Sequence, residues 1–163
     1  MKNRIVYVRD CVSRFLYKSI FKRIFFCIDP EIVHGRMVQL GRFLGSNVLM
    51  RTMVALLFSY KDERLEQKVL GITFQNPVGL SAGFDKNAQL TGILPSVGFG
   101  FMEVGSITGE PCEGNPLPRL WRLKKSRALV VYYGLVNEGC EKVAKRLCDK
   151  FFGISHTSVF KYF

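Results

Sequence analysis

Between Gly79 and Lys86 the chain has the composition of a ligand-binding loop that follows a short apolar strand. Half of its positions are Gly, Ala or Ser, so a flat ligand can lie directly against the backbone. Lys86 then adds a compact positive charge on a flexible stem beside that ligand. A tight turn between a strand and a helix needs the same small residues, and this second interpretation stays open.

The charge pattern favours a membrane surface over nucleic acid as a partner. The 163 residues carry a formal net charge of +11, and residues 1–60 hold ten Lys and Arg against three acidic residues. Basic charge mixed with aromatic and aliphatic residues suits an anionic membrane or nucleic acid. The sequence contains none of the paired zinc ligands, RNP aromatics or Gly-rich clamps of nucleic-acid-binding modules. We therefore expect no nucleic-acid partner.

The cysteines predict neither disulfides nor a metal site. Five cysteines are scattered along the chain without a C-x-x-C pair, which is typical of free thiols in a reducing compartment. The first ten residues are too charged for the apolar core of a signal peptide. No apolar run reaches the roughly 18 residues needed to span a bilayer.

Three helices are predicted in the first third of the chain. Residues 12–28 place apolar side chains on one arc, at about 100° per residue, and basic side chains on the adjoining arc. Such a helix can lie in a membrane interface, although an ordinary surface helix shows the same pattern. Asp29, followed by Pro30, starts a second helix that continues to Gly45. A third, mostly apolar helix is predicted over residues 48–60.

His34 borders the apolar stripe of the second helix. A histidine in that position is more often a packed, hydrogen-bonded side chain than a functional one. The functional interpretation stays open beside the packed one.

For the remaining chain the sequence predicts strands and helices in alternation. The sequence predicts a strand pair with a bend over residues 69–75. It predicts a helix over residues 87–97 and a further strand over residues 98–106. Strand, loop, helix and strand at this interval form a βαβ unit, which implies a parallel sheet. A hairpin over residues 119–132 and a basic helix from about residue 137 to Lys150 follow.

Together these segments resemble the N-terminal part of the quinone-dependent (class 2) dihydroorotate dehydrogenases. Order, spacing and the amphipathic N-terminal helices agree over about residues 20–150, so the resemblance is more specific than any single glycine loop. The matching segments are residues 29–31 with His34, 71–80, 82–86, 98–108 and 118–123.

The resemblance implies a fold of the α/β class. Family members are (β/α)₈ barrels that hold FMN at the C-terminal ends of their strands. We expect an incomplete (β/α)₈ TIM barrel over residues 61–163, preceded by a helical membrane-associated segment over residues 1–60. In the family this segment forms the tunnel through which quinone reaches the flavin. A peripheral location on the cytoplasmic face of a membrane follows from the resemblance.

The resemblance also implies a reaction and its site residues. Family members oxidise (S)-dihydroorotate to orotate in pyrimidine (UMP) biosynthesis, with quinone as the electron acceptor. The cofactor carries the hydride, and the protein positions both partners. The expected flavin contacts are Ala82, Gly83, Lys86 and Ser106, the expected substrate contacts are Lys86, Gly134 and Leu135, and the expected quinone-tunnel residues are His34 and Arg122.

One position departs from the family pattern in the substrate loop. The family loop begins with Asn, where this chain has Val131, although Gly134 and Leu135 match. Valine cannot make the side-chain hydrogen bonds that a polar pyrimidine needs, and losing such a partner costs about 1–3 kcal/mol. An FMN barrel oxidoreductase with a different substrate therefore stays open, as does a membrane-binding helical module built on residues 1–60.

The last residues depart as well, because residues 155–163 do not continue the barrel pattern. We interpret them as an aberrant tail, from a frameshift or a truncated gene product. The catalytic base of the family would then lie beyond the chain end, so no residue here is assigned that role. We expect the isolated chain to be inactive, since part of a barrel leaves strand edges unpaired and the flavin unenclosed.

Overall fold

The computed structural model describes residues 2–151, so the predicted aberrant tail (155–163) lies outside the described residues. The chain begins with α1 (Lys2–Leu16), which continues through a π-helical turn (Tyr17–Phe21) into α2 (Lys22–Cys27). The predicted start of this helix at residue 12 is wrong. A tertiary contact accounts for the earlier start, because the Arg9 guanidinium donates to the carbonyl oxygens of Leu56 and Ser59 at 3.3 and 3.0 Å.

The next two helices are confirmed. α3 (Pro30–Gly45) starts as predicted, with the Asp29 carboxylate accepting from the amides of Glu31 and Ile32 at 2.8 and 3.2 Å. α4 (Val48–Phe58) is capped by Asn47. Both caps satisfy amides that have no partner inside the first turn of a helix, so local sequence alone specifies where these helices begin.

Three two-stranded sheets follow within the described residues. β1 (Gln67–Val69) and β2 (Ile72–Phe74) pair antiparallel, and β3 (Gly79–Leu80) pairs in parallel with β4 (Phe101–Met102). β5 (Leu120–Leu123) and β6 (Ala128–Val131) form the predicted hairpin, and α6 (Cys140–Phe151) ends the described chain. The parallel pair confirms the βαβ prediction and, with the helices, an α/β fold.

The connection between β3 and β4 differs from the prediction of a helix over residues 87–97. Only α5 (Leu94–Val97) is helical. The Asp85 carboxylate takes the amides of Gln89 and Leu90 at 2.8 and 2.7 Å, and these amides would otherwise belong to a helical ladder. Ala88 adopts a left-handed φ of 53°. A side chain therefore competes with the helix for its backbone donors.

The strand predicted over residues 98–106 is shorter than expected. β4 comprises Phe101–Met102, yet single backbone hydrogen bonds extend its alignment with the β3 segment on both sides. Gly100 donates to the Val78 oxygen at 2.9 Å, and Gly105 to the Asp85 oxygen at 3.1 Å. The two segments therefore run side by side well beyond the residues that count as strand.

The hydrophobic core joins the helix pair α3 and α4 to the βαβ unit. Its buried members are Val38 of α3, Val54 of α4, and Leu90, Ile93 and Leu94 of the connection. Leu80 and Met102 of the parallel pair pack against them. α3 approaches closely because it has glycine there: a Cβ on Gly41 would lie 2.6 Å from Leu90 Cδ2, and one on Gly45 3.1 Å from the Ile93 nitrogen. The core thus includes residues on both sides of residue 60.

Candidate functional site at the end of the parallel strand pair

A cavity of about 330 Å³ lies between α3 and the loop that follows β3. Residues of three separate segments form its wall, so only the folded chain assembles it. Charged groups of both signs, an imidazole and a phenol face the same space. The charged and aromatic side chains of its lining include those of Glu31, His34, Arg42, Phe84, Lys86 and Tyr133.

Lys86 is half-buried at this cavity. Its Nζ donates to the Gly83 oxygen at 2.8 Å and lies 4.2 Å from the centroid of the Tyr133 ring. Burial is the main influence on its pKa, which is lowered because desolvation disfavours the charged form, and the nearby Arg119 acts in the same direction. The ammonium is thus held by a carbonyl oxygen and an aromatic face, and it keeps donors for a ligand.

His34 faces the same cavity from α3. Its Nε2–H donates to the Phe84 oxygen at 2.8 Å, and the two rings meet edge to face at 5.0 Å between centroids. Burial lowers the pKa of His34, which favours the neutral imidazole. The side chain is therefore packed and hydrogen-bonded, and it also lines the cavity, so the two interpretations of His34 are compatible.

A partly buried ion pair connects α3 to the hairpin. The Arg119 guanidinium donates from Nη2 and Nε to the Glu31 carboxylate at 2.8 and 3.0 Å. It also donates to the backbone oxygens of Glu113 and Asn115. The hydrogen bonds to Glu31 raise the pKa of Arg119. This residue therefore fixes one wall of the cavity against another.

Tyr133 lies between the two cations. Its ring contacts Lys86 on one side, and the Arg119 guanidinium lies 5.3 Å from its centroid. Its hydroxyl is buried without a hydrogen-bond partner among residues 2–151, and burial raises the pKa of this phenol. A buried hydroxyl without a partner is uncommon in folded proteins.

The residues predicted at the flavin lie together. The Gly83 amide donates to the Gly105 oxygen at 2.8 Å, which places the end of the β3 segment directly beside the residue that precedes Ser106. Ala82 and Ser106 are both exposed at this edge. Lys86 bonds to Gly83, so all four predicted residues share one region.

The other predicted residues are more dispersed. Gly134 and Leu135 follow Tyr133, and both have left-handed backbone φ angles, of 69° and 62°. Arg122 does not line the cavity in the described part of the chain. Its guanidinium instead donates to the Ile28 oxygen at 2.7 Å and lies 5.0 Å from the Phe26 ring, at the end of α2. His34 and Arg122 thus lie in different surroundings.

Several residues of this region had no assigned role in the sequence. Asp85 and Asn137 are 1% and 5% exposed, and their side chains hold backbone amides of neighbouring loops. Tyr133 had no signal beyond its place next to Gly134. An Asp directly before the key lysine, and an Asn two residues before a glycine, were the available signals. Within residues 2–151 no group of three or more His, Cys, Asp or Glu could hold a metal ion.

Comparison with known protein families shows to which family this chain belongs. Residues 64–153 match the sequence model of dihydroorotate dehydrogenase. The matched region includes the β3 loop, the β4 segment, the hairpin and α6. The chain belongs to the dihydroorotate dehydrogenase family.

Individual dihydroorotate dehydrogenases agree with this result. The chain is 40% identical over 137 residues to dihydroorotate dehydrogenase (quinone) of a Synechococcus species, covering 81% of this chain and 36% of the relative. It is 42% identical over 136 residues to the protein of the same name from Christiangramia forsetii, covering 81% and 39%. The chain thus spans little more than a third of the length of these relatives.

Solved structures of dihydroorotate dehydrogenases are also similar. The Eimeria tenella enzyme in complex with ferulenol matches at a TM-score of 0.63 and 37% identity, over 74% of this chain and 30% of that chain. Its ligand-free form matches at 0.61 and 36%, over 75% and 32%. About three quarters of this chain therefore has the fold of the corresponding part of a dihydroorotate dehydrogenase.

Proposed function

We propose that this chain supplies the first flavin-contacting strand ends and part of the substrate loop of a quinone-dependent dihydroorotate dehydrogenase. The observation that carries the proposal is the pairing of the Gly83 and Gly105 backbones beside Lys86. It brings residues from two strand ends to one edge of a parallel pair, where barrel folds bind their cofactors. Residues 61–163 would then be part of an FMN-binding (β/α)₈ barrel, with residues 1–60 as its helical segment.

The residues at this edge fit the ring of FMN. A Cβ built on Gly83 meets no atom within 4 Å, so the space over its backbone is open. Ala82 and Ser106 are exposed beside it, and Lys86 lines the cavity. The Gly83 amide is already used by the Gly105 oxygen, and the Lys86 ammonium and the Ser106 hydroxyl offer donors to a ligand.

Bound FMN would supply the hydride-accepting chemistry. The part of this chain is to bind and orient. Ala82 and Gly83 offer a flat surface, and the Lys86 ammonium offers charge-assisted donors both to the flavin and to an anionic substrate such as orotate. The Tyr133 ring stabilises that ammonium in its partly desolvated position.

We propose a dihydroorotate-like carboxylate as the substrate, and a different substrate for the same flavin site as the second candidate. Val131 favours the second candidate, because an aliphatic side chain stands where the family loop has Asn. Val131 pairs with Leu120 in the hairpin and is 58% exposed. It has no polar group with which to recognise a pyrimidine.

Replacing Lys86 with Met tests the flavin site. The substitution keeps the length of the side chain but removes the ammonium, and we expect FMN affinity to fall about tenfold, the equivalent of one charge-assisted hydrogen bond. Titration of the full chain with FMN, followed by flavin fluorescence, measures this. Lys124→Met is the matched control, since Lys124 is exposed in the turn between β5 and β6.

The outcomes of this titration separate the parts of the proposal. Equal FMN affinity in the two Met variants would show that Lys86 is not at the flavin. A chain that binds no FMN would contradict a flavin site formed by this chain alone. If the FMN complex forms but does not respond to orotate, and Val131→Asn restores the response, the second substrate candidate is favoured.

We also propose that residues 1–60 attach the protein peripherally to the cytoplasmic face of a membrane, where quinone reaches the site past α2 and α3. In the described residues no helix is both long and apolar enough to cross a bilayer. Large apolar side chains are nevertheless exposed on these helices, among them Phe15, Ile24, Phe43, Leu49 and Leu56. Basic side chains accompany them, which is the composition of an interfacial helix.

The double variant Arg14→Gln/Lys18→Gln tests the membrane proposal. Each basic residue near an anionic surface contributes about 1 kcal/mol, so we expect binding to anionic phospholipid vesicles to weaken roughly thirtyfold. Vesicle sedimentation at low and high salt measures this. Lys124→Gln/Lys125→Gln removes the same charge from the hairpin turn and should leave binding unchanged. Equal losses in both double variants would indicate a nonspecific charge effect.

A further inference from the structure

Asn137 is a buried amide that connects the loop after β4 to the segment after β6. Its Oδ1 accepts from the amides of Thr108 and Gly139 at 3.2 and 2.8 Å. Its Nδ2 donates to the Leu135 oxygen at 2.7 Å and to Thr108 Oγ1 at 2.8 Å. Both ends of the amide are therefore used, in a side chain that is 5% exposed.

The backbone of Asn137 is held independently of this network. Its amide donates to the Cys112 oxygen at 3.0 Å, and its oxygen accepts from the Cys112 amide at 2.9 Å. The side chain thus projects from a fixed position. Aspartate at this position would keep the two acceptor contacts but lose both donors, and it would set a negative charge against the Leu135 oxygen.

The segment that Asn137 holds has a strained backbone. Gly134 and Leu135 are both left-handed, and for a residue with a side chain this costs roughly 1–2 kcal/mol. Such a conformation persists only where surrounding contacts determine it. The hydrogen bond from Nδ2 to the Leu135 oxygen is one such contact, so the amide holds the least relaxed part of this loop.

We propose that Asn137 is a positioning residue that sets the predicted substrate segment at Gly134 and Leu135 relative to the predicted flavin loop at Ser106. The inference rests on the proposed function, since only a flavin and a substrate held side by side need these two segments in register. Thr108 lies two residues after Ser106, and Leu135 is itself a predicted substrate contact. One amide bonds to both segments.

The test compares Asn137→Asp with Asn76→Ala in the full chain. Asn76 is a matched control because its side chain also bridges two backbone groups, the Gly98 oxygen and the Val78 amide, both at 3.0 Å, but before β3. We expect Asn137→Asp to weaken binding of orotate to the FMN complex about tenfold and FMN binding less than about twofold. Asn76→Ala should change neither affinity by more than about twofold.

Amide hydrogen exchange of the ligand-free chain gives a second readout. Asn137→Asp should keep the Thr108 and Gly139 amides protected, because the acceptor oxygen remains, whereas Asn137→Ala should expose both. A chain that binds no FMN or no orotate contradicts a flavin and substrate site formed by this chain alone, and the exchange pattern still decides whether Asn137 links the two segments. Equal loss of orotate affinity in Asn137→Asp and Asn76→Ala, or unchanged Thr108 exchange in Asn137→Ala, would overturn the positioning role.

Discussion

Replacing Asp85 with Ala is expected to lower the free energy of unfolding by about 3–5 kcal/mol. The carboxylate is 1% exposed and accepts from the amides of Gln89 and Leu90 at 2.8 and 2.7 Å. Each hydrogen bond to a charged acceptor contributes about 1.5–3 kcal/mol, and the buried Leu90 amide and the partly buried Gln89 amide would both lose their partner. Urea unfolding followed by circular dichroism measures the loss.

Two further variants sharpen the Asp85 prediction. Asp85→Asn keeps one acceptor oxygen, but its side-chain NH₂ group would face a backbone amide that is also a donor. We therefore expect a loss of unfolding free energy between those of the wild type and Asp85→Ala. Asp10→Ala removes an exposed carboxylate that pairs with Arg9, and such pairs contribute about 0–1 kcal/mol. Equal effects of Asp85→Ala and Asp10→Ala would mean that the Asp85 carboxylate does not organise the loop that carries Lys86.

Replacing Arg119 with Ala is expected to cost about 3 kcal/mol of unfolding free energy and to separate α3 from the hairpin. The guanidinium makes two bonds to Glu31 and further bonds to two backbone oxygens. Truncation leaves the partly buried Glu31 carboxylate without its cation, which is the costly way to break such a pair. Urea unfolding measures the stability, and the fluorescence of Trp121 on β5 reports the hairpin.

A charge-conserving variant of Arg119 and a variant of an exposed arginine are the controls for this prediction. Arg119→Lys keeps the charge but cannot bond with two nitrogens to Glu31, so we expect it to recover only part of the loss. Arg64→Ala is the matched control, because Arg64 also makes two bonds to one carboxylate, that of Asp62, with its side chain 84% exposed. A loss in Arg64→Ala as large as in Arg119→Ala would rule out burial as the cause.

Elements with local signals were predictable from the sequence. Asp29 with Pro30 specified the start of α3, because the cap and its amides are neighbours in the chain. Where a distant or competing contact decided the outcome, prediction failed. Arg9 reaches carbonyls at the end of α4, and Asp85 takes amides that periodicity had assigned to a helix. The periodicity of the sequence gives no information about either of these two contacts.

In the candidate site, too, some features were predictable from the sequence and others were not. The proximity of Gly83, Lys86 and Ser106 follows from a βαβ unit, whose strand ends meet at one edge. The positions of Tyr133 and Asn137 depend on how the hairpin and α6 fold back on that edge. No periodic pattern marks them, since each contacts residues far away in sequence. The functional roles of the individual residues stay predictions.

The core shared by α3, α4 and the βαβ unit has a consequence for cooperativity. Val38 and Val54 are buried in one cluster with Leu90, Ile93 and Leu94. Loss of either partner exposes the apolar face of the other, so we expect the two parts to unfold in one transition. A change on the helices is therefore transmitted to the Lys86 loop as a change in the population of the folded state.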